Sequence, residues 1–472
     1  MPFLALLAGS FFVSLILTPV FRDLFQRFGL YDQPDSTRKL HTHPIPRVGG
    51  LVLVISLAAT YGLALALNGR AGFVSAAQSH LIWALLPGAG IVFATGLLDD
   101  LISLRPWQKL AGQLMGAGWA YWAGLRIVAV AGYSAEDWLA LPLTLFWLVL
   151  CMNAFNLIDG VDGLATGAGL FATLTMVLAA LISKNFLLAA VTLPLAGFLL
   201  GFLRYNFNPA TVFLGDSGSL LIGFLLGCYG VIWSQKSATL LGMTAPLMAL
   251  FVPILDVALS VVRRFLRHQP IFGADRDHIH HKLLGRGLTP RRAVLLLYGA
   301  CTLGALFSIA QSVATQYFGG LIVLLFCGAT WIGVQHLGYV EFNMAGRMLL
   351  SGSFQKQLDS QIQLRKFEQA LSTAATIEEC WAAMVEGSRA LGFHGVELDL
   401  GYNVFREGAD CGAGCWTVRI PLAGRKSATL TTRFDSPLTT PIVSPVVQML
   451  RGQLMAKLES MAGPRAMAHS AD

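Results

Sequence analysis

The stretch Asn153-Ala-Phe-Asn-Leu-Ile-Asp-Gly-Val-Asp-Gly-Leu-Ala165 sets two carboxylates, Asp159 and Asp162, and two amides, Asn153 and Asn156, between two apolar segments, with no basic residue among them. Uncompensated carboxylates at a membrane boundary are costly, and a divalent cation, a bound ligand or water is the usual means of tolerating them. Spaced by three, the two carboxylates share a face on a helix, and Gly160 and Gly163 leave room for a phosphate or a backbone. By themselves these residue types suit a solvated helix cap equally well. The other polar clusters tip the reading toward chemistry.

Asp99 and Asp100 close an apolar segment, with Lys109 shortly after. Paired carboxylates there suit metal binding or acid/base work. At a helix C-terminus they oppose the macrodipole, which weakens a purely structural reading. Being adjacent, they point in different directions. Gly215-Asp-Ser-Gly-Ser219 opens a helix with free N–H groups, hydroxyls and the Asp216 carboxylate, a combination suited to phosphate and magnesium. Asp275-Arg276-Asp277-His278-Ile-His280-His281-Lys282 mixes imidazoles and a guanidinium with carboxylates. No Cys or Glu stands at a zinc-like interval, so pyrophosphate or sugar hydroxyls fit this run better than zinc. Asp256, ahead of Arg263 and Arg264, reads as half of an internal ion pair with an arginine. In the loop 22–50, Arg38, Lys39, His41 and Arg47 lie on a Pro/Gly-rich path with a fixed, non-helical course.

These residues need a membrane frame to hold them. Of 472 residues, 55% are hydrophobic and 12% charged, with mean hydropathy +0.62, where a soluble chain carries about 25% charged residues. The expected fold is an all-α polytopic membrane protein of about eleven transmembrane helices, with a small α/β C-terminal domain. The expected spans are 2–21, 48–67, 81–98, 108–123, 139–155, 164–182, 186–203, 217–233, 239–262, 293–313 and 316–338. Sixteen Lys and Arg fall on the side that holds residues 22–47 and four on the other, which places the first side, and the tail after eleven spans, in the cytoplasm. The net charge of +7 resides wholly in residues 1–338. It reports membrane orientation and an anionic substrate, not a nucleic-acid surface. Every acidic residue before the tail except Glu136 and Asp137 is an Asp at or near a cytoplasmic segment end. A transporter would rather place its charges near the bilayer midplane; an enzyme working at the cytoplasmic leaflet would crowd them on one surface. The seven cysteines form neither a disulfide ladder nor a paired CxxC pattern.

The tail, 339–472, is charge-balanced and has no catalytic constellation. Its pattern predicts an amphipathic helix at 354–373, a helix at 377–391, strands at 395–402, 415–422 and 427–434, and a closing helix near 443–461. Cys411-Gly-Ala-Gly-Cys415 reads as a turn between strands, and the whole is faintly similar to half of a GAF-type sensory domain.

Taken together, Arg38-Lys-Leu-His-Thr-His-Pro-Ile-Pro-Arg-Val-Gly-Gly50, Asp99-Asp100 with Lys109, Asn153 to Ala165, Gly215 to Ser219, Pro253-Ile-Leu-Asp256 and Asp275 to Lys282 occur in an order that resembles the polyprenyl-phosphate N-acetylhexosamine-1-phosphate transferases over residues 1–338. These include the enzymes that start enterobacterial common antigen, O-antigen and wall teichoic acid synthesis, and the phospho-MurNAc-pentapeptide translocase. His-Ile-His-His is closer to the N-acetylglucosamine branch. The resemblance implies transfer of sugar-1-phosphate from a UDP-N-acetylhexosamine to undecaprenyl phosphate, with release of UMP, in a bacterial inner membrane and with Mg²⁺ (or Mn²⁺) as cofactor. It implies that Asp99 and Asp100 bind metal and handle the lipid phosphate, that Asn156, Asp159 and Asp162 shape the metal and nucleotide site, and that Asp216 is a metal ligand. It also implies that Arg276, His278, His280 and His281 bind the donor, with Lys109, Asn153, Arg38 and Arg47 completing the substrate site. Two rival readings are a nucleotide-sugar or lipid transporter and a membrane sensor read through its tail. The tail is expected to be regulatory or to form a homodimer through its first helix.

Overall fold

The computed structural model describes residues 2–29, 31, 44–71, 76–130, 133–134, 136–235, 243–266, 278–314, 316–337, 353–408, 414–422, 426–433 and 440–461. Arg38, Lys39, His41, Asp275, Arg276, Asp277 and Cys411 lie outside the described residues, and so do the expectations that rest on them. The chain divides into two units, Met1–Glu341 and Phe342–Asp472.

The first unit is helical: α1 (Pro2–Arg27), α2 (Gly49–Ala71), α3 (Ala76–Ile102), α4 (Pro106–Trp122), α5 (Asp137–Ile158), α6 (Leu164–Ile182), α7 (Phe186–Asn206), α8 (Gly215–Gln235), α9 (Thr244–Ala249), α10 (Phe251–Leu266), α11 (Ile279–Gly285), α12 (Pro290–Val313) and α13 (Gln316–His336). A small antiparallel pair, β1 (Ala129–Val130) and β2 (Tyr133–Ser134), lies between α4 and α5. Among the described residues nine helices are long and apolar enough to cross a membrane: α1, α2, α3, α5, α6, α7, α8, α12 and α13. The protein is a multi-pass membrane protein.

The expected count of eleven differs from this at two places. The segment 108–123 forms α4, which has only 17 residues, about 25 Å at 1.5 Å per residue, and its polar residues include Gln108, Lys109 and Gln113. The segment 239–262 is divided: α9 ends at Ala249, Leu250 leaves helical geometry (φ −102°, ψ 15°), and α10 begins at Phe251. Pro253 accounts for the break, because its ring crowds the carbonyl four residues back, at Ala249, and it supplies no N–H.

At the centre stands α8, the most enclosed of the nine. Its Leu, Ile, Phe, Tyr and Trp residues surround the whole helix, the pattern of a helix buried on every side. Its N-terminus is gripped by the segment before α2: Phe213 N–H donates to the Pro46 carbonyl (2.9 Å), and Gly49 and Gly50 N–H donate to the carbonyls of Phe213 and Leu214 (3.1 Å each). The contact is backbone on backbone. A Cβ at Gly49 would lie 2.6 Å from Leu214 Cα, one at Gly50 2.6 Å from Gly218 N, and one at Gly96 of α3 2.6 Å from the Asp216 carbonyl oxygen. Only glycine permits that approach.

The second unit holds α14 (Ser353–Thr373), α15 (Ile377–Ala390), β3 (Gly395–Asp399), β4 (Val404–Gly408), β5 (Cys415–Pro421), β6 (Ser427–Arg433) and α16 (Thr440–Met461). Its sheet runs β4-β3-β6-β5, antiparallel throughout. Alternation along β3 and β6 turns Val396, Leu398, Ala428 and Leu430 into a core shared with Phe367, Met384, Val446 and Leu450. The strand expected at 395–402 stops at Asp399. That carboxylate accepts the Gly401 N–H at 2.8 Å, turning the chain into β4, a strand the sequence pattern does not predict.

Candidate active site

Lys109, near the start of α4, lies at the meeting point of three helices. Its Nζ donates to Asp99 Oδ2 on α3 (2.7 Å), Asp216 Oδ2 on α8 (2.8 Å) and Asn156 Oδ1 on α5 (3.0 Å). Asn156 then donates to Asp216 Oδ1 at 2.6 Å and to Ser219 Oγ at 3.1 Å. The second oxygen of Asp99 accepts the Leu104 N–H at 2.7 Å. The start of α4 is fixed by Pro106 at its first position and by Arg105 N–H donating to Gln108 Oε1 at 2.9 Å. Lys109 is 17% exposed and Asp99 11%, so the ammonium and carboxylate are largely withdrawn from water and depend on each other.

Asp100, next in sequence, does different work. Its Oδ1 accepts the Asp216 N–H (2.9 Å), and its Oδ2 accepts the Ser217 N–H (2.9 Å) and the Ser217 hydroxyl (2.7 Å). A carboxylate from α3 thus caps the N-terminus of α8, where free N–H groups and the helix dipole favour negative charge. Arg47 Nη1 lies 3.6 Å from Asp100 Oδ1, so the Arg47 guanidinium also borders the cluster.

Asn153 and Asp162 are tied to structure as well. Asn153 exchanges hydrogen bonds with Gln113 of α4: Asn153 Nδ2 donates to Gln113 Oε1 at 2.8 Å, and Gln113 Nε2 to Asn153 Oδ1 at 3.3 Å. This half-buried amide pair joins α4 to α5 one turn deeper than the bond between Lys109 and Asn156. Asp162 Oδ2 accepts from Asn208 Nδ2 and from the Ala210 N–H, both at 3.0 Å, and so holds the loop that leads into α8.

Asp159 caps the C-terminus of α5. No hydrogen bond to its carboxylate occurs among the described residues, whereas Asp99, Asp100 and Asp216 each have both oxygens engaged. Burial, reinforced by the charges of Asp216, Asp100 and Asp162, pushes its pKa well above the usual carboxylate range, and Arg47 pulls it back. Beside it lies the histidine cluster. His280 Nε2 is 3.5 Å from the position that a Cβ on Gly160 would take. The rings of His280 and His281 are 4.3 Å apart and those of His278 and His280 5.7 Å. Burial lowers the His280 pKa to about 4, with its histidine neighbours adding to the shift and Asp256 opposing it, so this ring is neutral near pH 7. Asp256, expected to pair with an arginine, lies 3.2 Å from His278 Nδ1 through its Oδ2.

The structure therefore brings Asp99, Asp216, Asn156 and Lys109 into direct contact, with Asp100 and Arg47 at their edge. Asp159, Gly160 and His280 form an adjoining wall. Gln113 was missed from sequence because an amide in an apolar segment carries no charge signal; its place one turn after Lys109 was the available hint. Among the described residues no three His, Cys, Asp or Glu side chains group closely enough to hold a metal by themselves. What converges is a set of hard oxygens, two carboxylates and one amide, around a single cationic position now filled by an ammonium. Such donors match the preference of Mg²⁺. Chemically, the arrangement can handle a charged ligand: the Lys109 and Arg47 cations, hard oxygens of Asp99, Asp216 and Asn156, and the uncommitted Asp159 side chain meet at one end of a helical bundle.

Residues 82–234 match the family model described as Glycosyl transferase family 4. The chain is 36% identical over 309 residues to a Bacillus subtilis protein named "Probable undecaprenyl-phosphate N-acetylglucosaminyl 1-phosphate transferase", covering 64% of this chain and 82% of that one. It is 35% identical over 312 residues to the decaprenyl-phosphate N-acetylglucosaminephosphotransferase of Mycolicibacterium smegmatis, covering 59% and 74%. It is also 31% identical over 313 residues to the phospho-N-acetylmuramoyl-pentapeptide-transferase of Desulforudis audaxviator, covering 60% and 91%.

Proposed function

From the premise that this chain belongs to glycosyl transferase family 4, we propose that it transfers N-acetylglucosamine-1-phosphate from a UDP-sugar to undecaprenyl phosphate, releasing UMP and starting a lipid-linked envelope glycan. The observation that carries this reading is the contact of Asp99, Lys109, Asn156 and Asp216 at one end of the bundle, where a membrane-anchored phosphate and a soluble nucleotide can meet. The relatives with 32–36% identity are all named for N-acetylglucosamine, although two others so named, at 29% and 30%, stand level with the muramoyl-pentapeptide relative at 31%; N-acetylglucosamine is the donor the reading takes.

In the reaction an oxygen of the lipid phosphate bonds to the phosphorus that bears the sugar. The bridging P–O bond of the donor breaks, and its electron pair leaves with UMP. A phosphate monoester is already largely dianionic near neutral pH, its second pKa being about 6, so it needs positioning more than deprotonation. Lys109 and Arg47 offset negative charge, and the capped α8 terminus keeps Asp216 in place. The Asp159 side chain, which makes no hydrogen bond among the described residues, is free to bond a sugar or ribose hydroxyl. His278, His280 and His281 stand on the donor side and offer hydrogen bonds to it, His280 as a neutral ring. Asp99, Asp216 and Asn156 would hold Mg²⁺, with Mn²⁺ as the alternative, and the ion would neutralise charge on the pyrophosphate. Asp100, also expected among the ligands, acts through α8.

The Lys/Arg bias of sixteen to four supports a cytoplasmic site and tail in a bacterial inner membrane. The tail is then a regulatory unit, or one that pairs two copies through α14. The test is transfer of label from a panel of UDP-sugars radiolabelled in the sugar to undecaprenyl phosphate, with and without EDTA. Lipid-linked label with UMP as coproduct, lost in EDTA, is expected. Release of UDP, or no lipid product from any donor, refutes the reaction, and full turnover in excess chelator refutes the metal.

A further inference from the structure

His280 and His281 lie on α11 and His278 is its N-cap residue, and a seven-residue helix has little stability of its own. Something must hold it in place. Asp256, on α10, is 2% exposed, and its two oxygens divide between the backbone and a ring. Oδ1 accepts the Ile279 N–H at 2.7 Å, which is the first residue of α11. Oδ2 lies 3.2 Å from His278 Nδ1, both side chains being almost wholly enclosed. The contact has the reach of an ion pair but lies off the axis of a hydrogen bond, since neither atom completes one. Two residues after His278, His280 is 3% exposed and presents Nε2 to Gly160 in the Asp159–Asp162 turn. A continuous path therefore runs from Asp256 through the start of α11 to the wall of the site.

We propose that Asp256 is a positioning residue for donor binding. It anchors α11 and orients the His278 ring, so that the imidazoles stand beside Asp159 and Gly160 rather than swinging with the chain. It touches no reacting atom and acts only through the histidines. The proposal rests on the reaction proposed above for this site.

The test uses the full chain in detergent or nanodiscs, with Asp256→Asn as the main variant. The amide keeps one oxygen for the Ile279 N–H and removes the charge facing His278, so it is gentler than Asp256→Ala. The donor KM should rise several-fold, up to roughly tenfold, because the Ile279 bond loses its charge assistance and His278 the charge that faces it. The undecaprenyl phosphate KM should stay within about twofold, which lies inside the error of independent sites. In a His280→Ala background the same change should add little, because both act on one element. An equal fold-rise in both backgrounds, or an equal rise for both substrates, overturns the proposal. A second arm needs no turnover: carbethoxylation of His278 and His280 by diethyl pyrocarbonate, read by mass spectrometry. Faster labelling in Asp256→Asn and Asp256→Ala supports the anchor, and wild-type rates in both overturn it. If the wild-type enzyme transfers no sugar phosphate, the proposed reaction fails while the labelling arm still decides whether Asp256 positions α11.

Discussion

Replacing Asp100 separates positioning from chemistry. Its carboxylate is 6% exposed and accepts three hydrogen bonds, at 2.9, 2.9 and 2.7 Å, from the first residues of α8. Asp100→Ala leaves two backbone N–H groups and a hydroxyl without their acceptor at an enclosed helix end. At about 1–3 kcal/mol each, partly recovered where water enters, the loss should total about 3–5 kcal/mol. Asp100→Asn retains one acceptor oxygen and should lose about 1–2 kcal/mol. Asp216 is the second residue of α8, so a loosened cap also displaces an oxygen bound to Lys109, and a shift of about 1 Å can cost around 10²-fold in rate. Three measurements on the same preparations decide the matter: denaturant unfolding, hydrogen exchange at the Asp216 and Ser217 amides, and turnover. The three should fall together, Ala further than Asn. The reasoning is refuted if Asp100→Asn abolishes turnover while unfolding and exchange match the wild type, for the carboxylate would then act on substrate or metal.

Lys109→Met leaves Asp99 and Asp216 facing each other without their shared ammonium; unfolding free energy should drop by about 2–4 kcal/mol and turnover by about 10²–10³-fold, and unchanged values for both would remove Lys109 from the site. His280 has a folded pKa of about 4 against an unfolded value near 6.5, so the unfolded chain binds the extra proton first. The stability this neutral ring confers is complete above pH 6.5 and is lost as pH falls toward 4, at most on the order of 3 kcal/mol. His280→Gln should flatten the melting temperature across that window, and an unaltered pH slope would contradict the assignment. A chain ended near Gly338 should retain sugar-phosphate transfer, with a changed oligomeric state or altered feedback; complete loss in a well-folded truncation would show that the tail is part of the catalytic machinery.

What could be read from the sequence was what depends on local composition. Apolar runs announced the long helices, and the Asp, Asn and His clusters stood out because ionisable groups are rare in such surroundings. What could not be read depends on partners far apart in the chain. Asp99 and Asp100 look alike as adjacent carboxylates, yet one meets Lys109 and the other meets amides 116 and 117 residues away. Nothing near either residue tells them apart. Gln113 and Asn153 become a pair only once α4 and α5 are side by side. Asp256 had two arginines in its own helix as obvious partners, and the histidine beside it arrives from beyond α10. The remaining misses had local signals of ordinary strength: Pro253 marks the break at Leu250, and Asp399-Leu-Gly-Tyr-Asn403 marks the turn into β4.

The backbone contact at Gly49, Gly50 and Gly96 bears on how variation in this protein should be interpreted. A saturation scan will find these three positions as intolerant as the carboxylates, although none of them carries a functional group. Even alanine places an atom about 2.6 Å from the opposing chain, so a small change there disturbs the junction of α2, α3 and α8 as a whole. A fitness map alone would score such positions as catalytic. Adaptation to a new donor has little scope at this junction, which admits no larger side chain. Its more open routes lie across the site, around α11 and the Asp159–Asp162 turn, where Gly160 faces an imidazole at ordinary contact distance and a side chain can still be fitted.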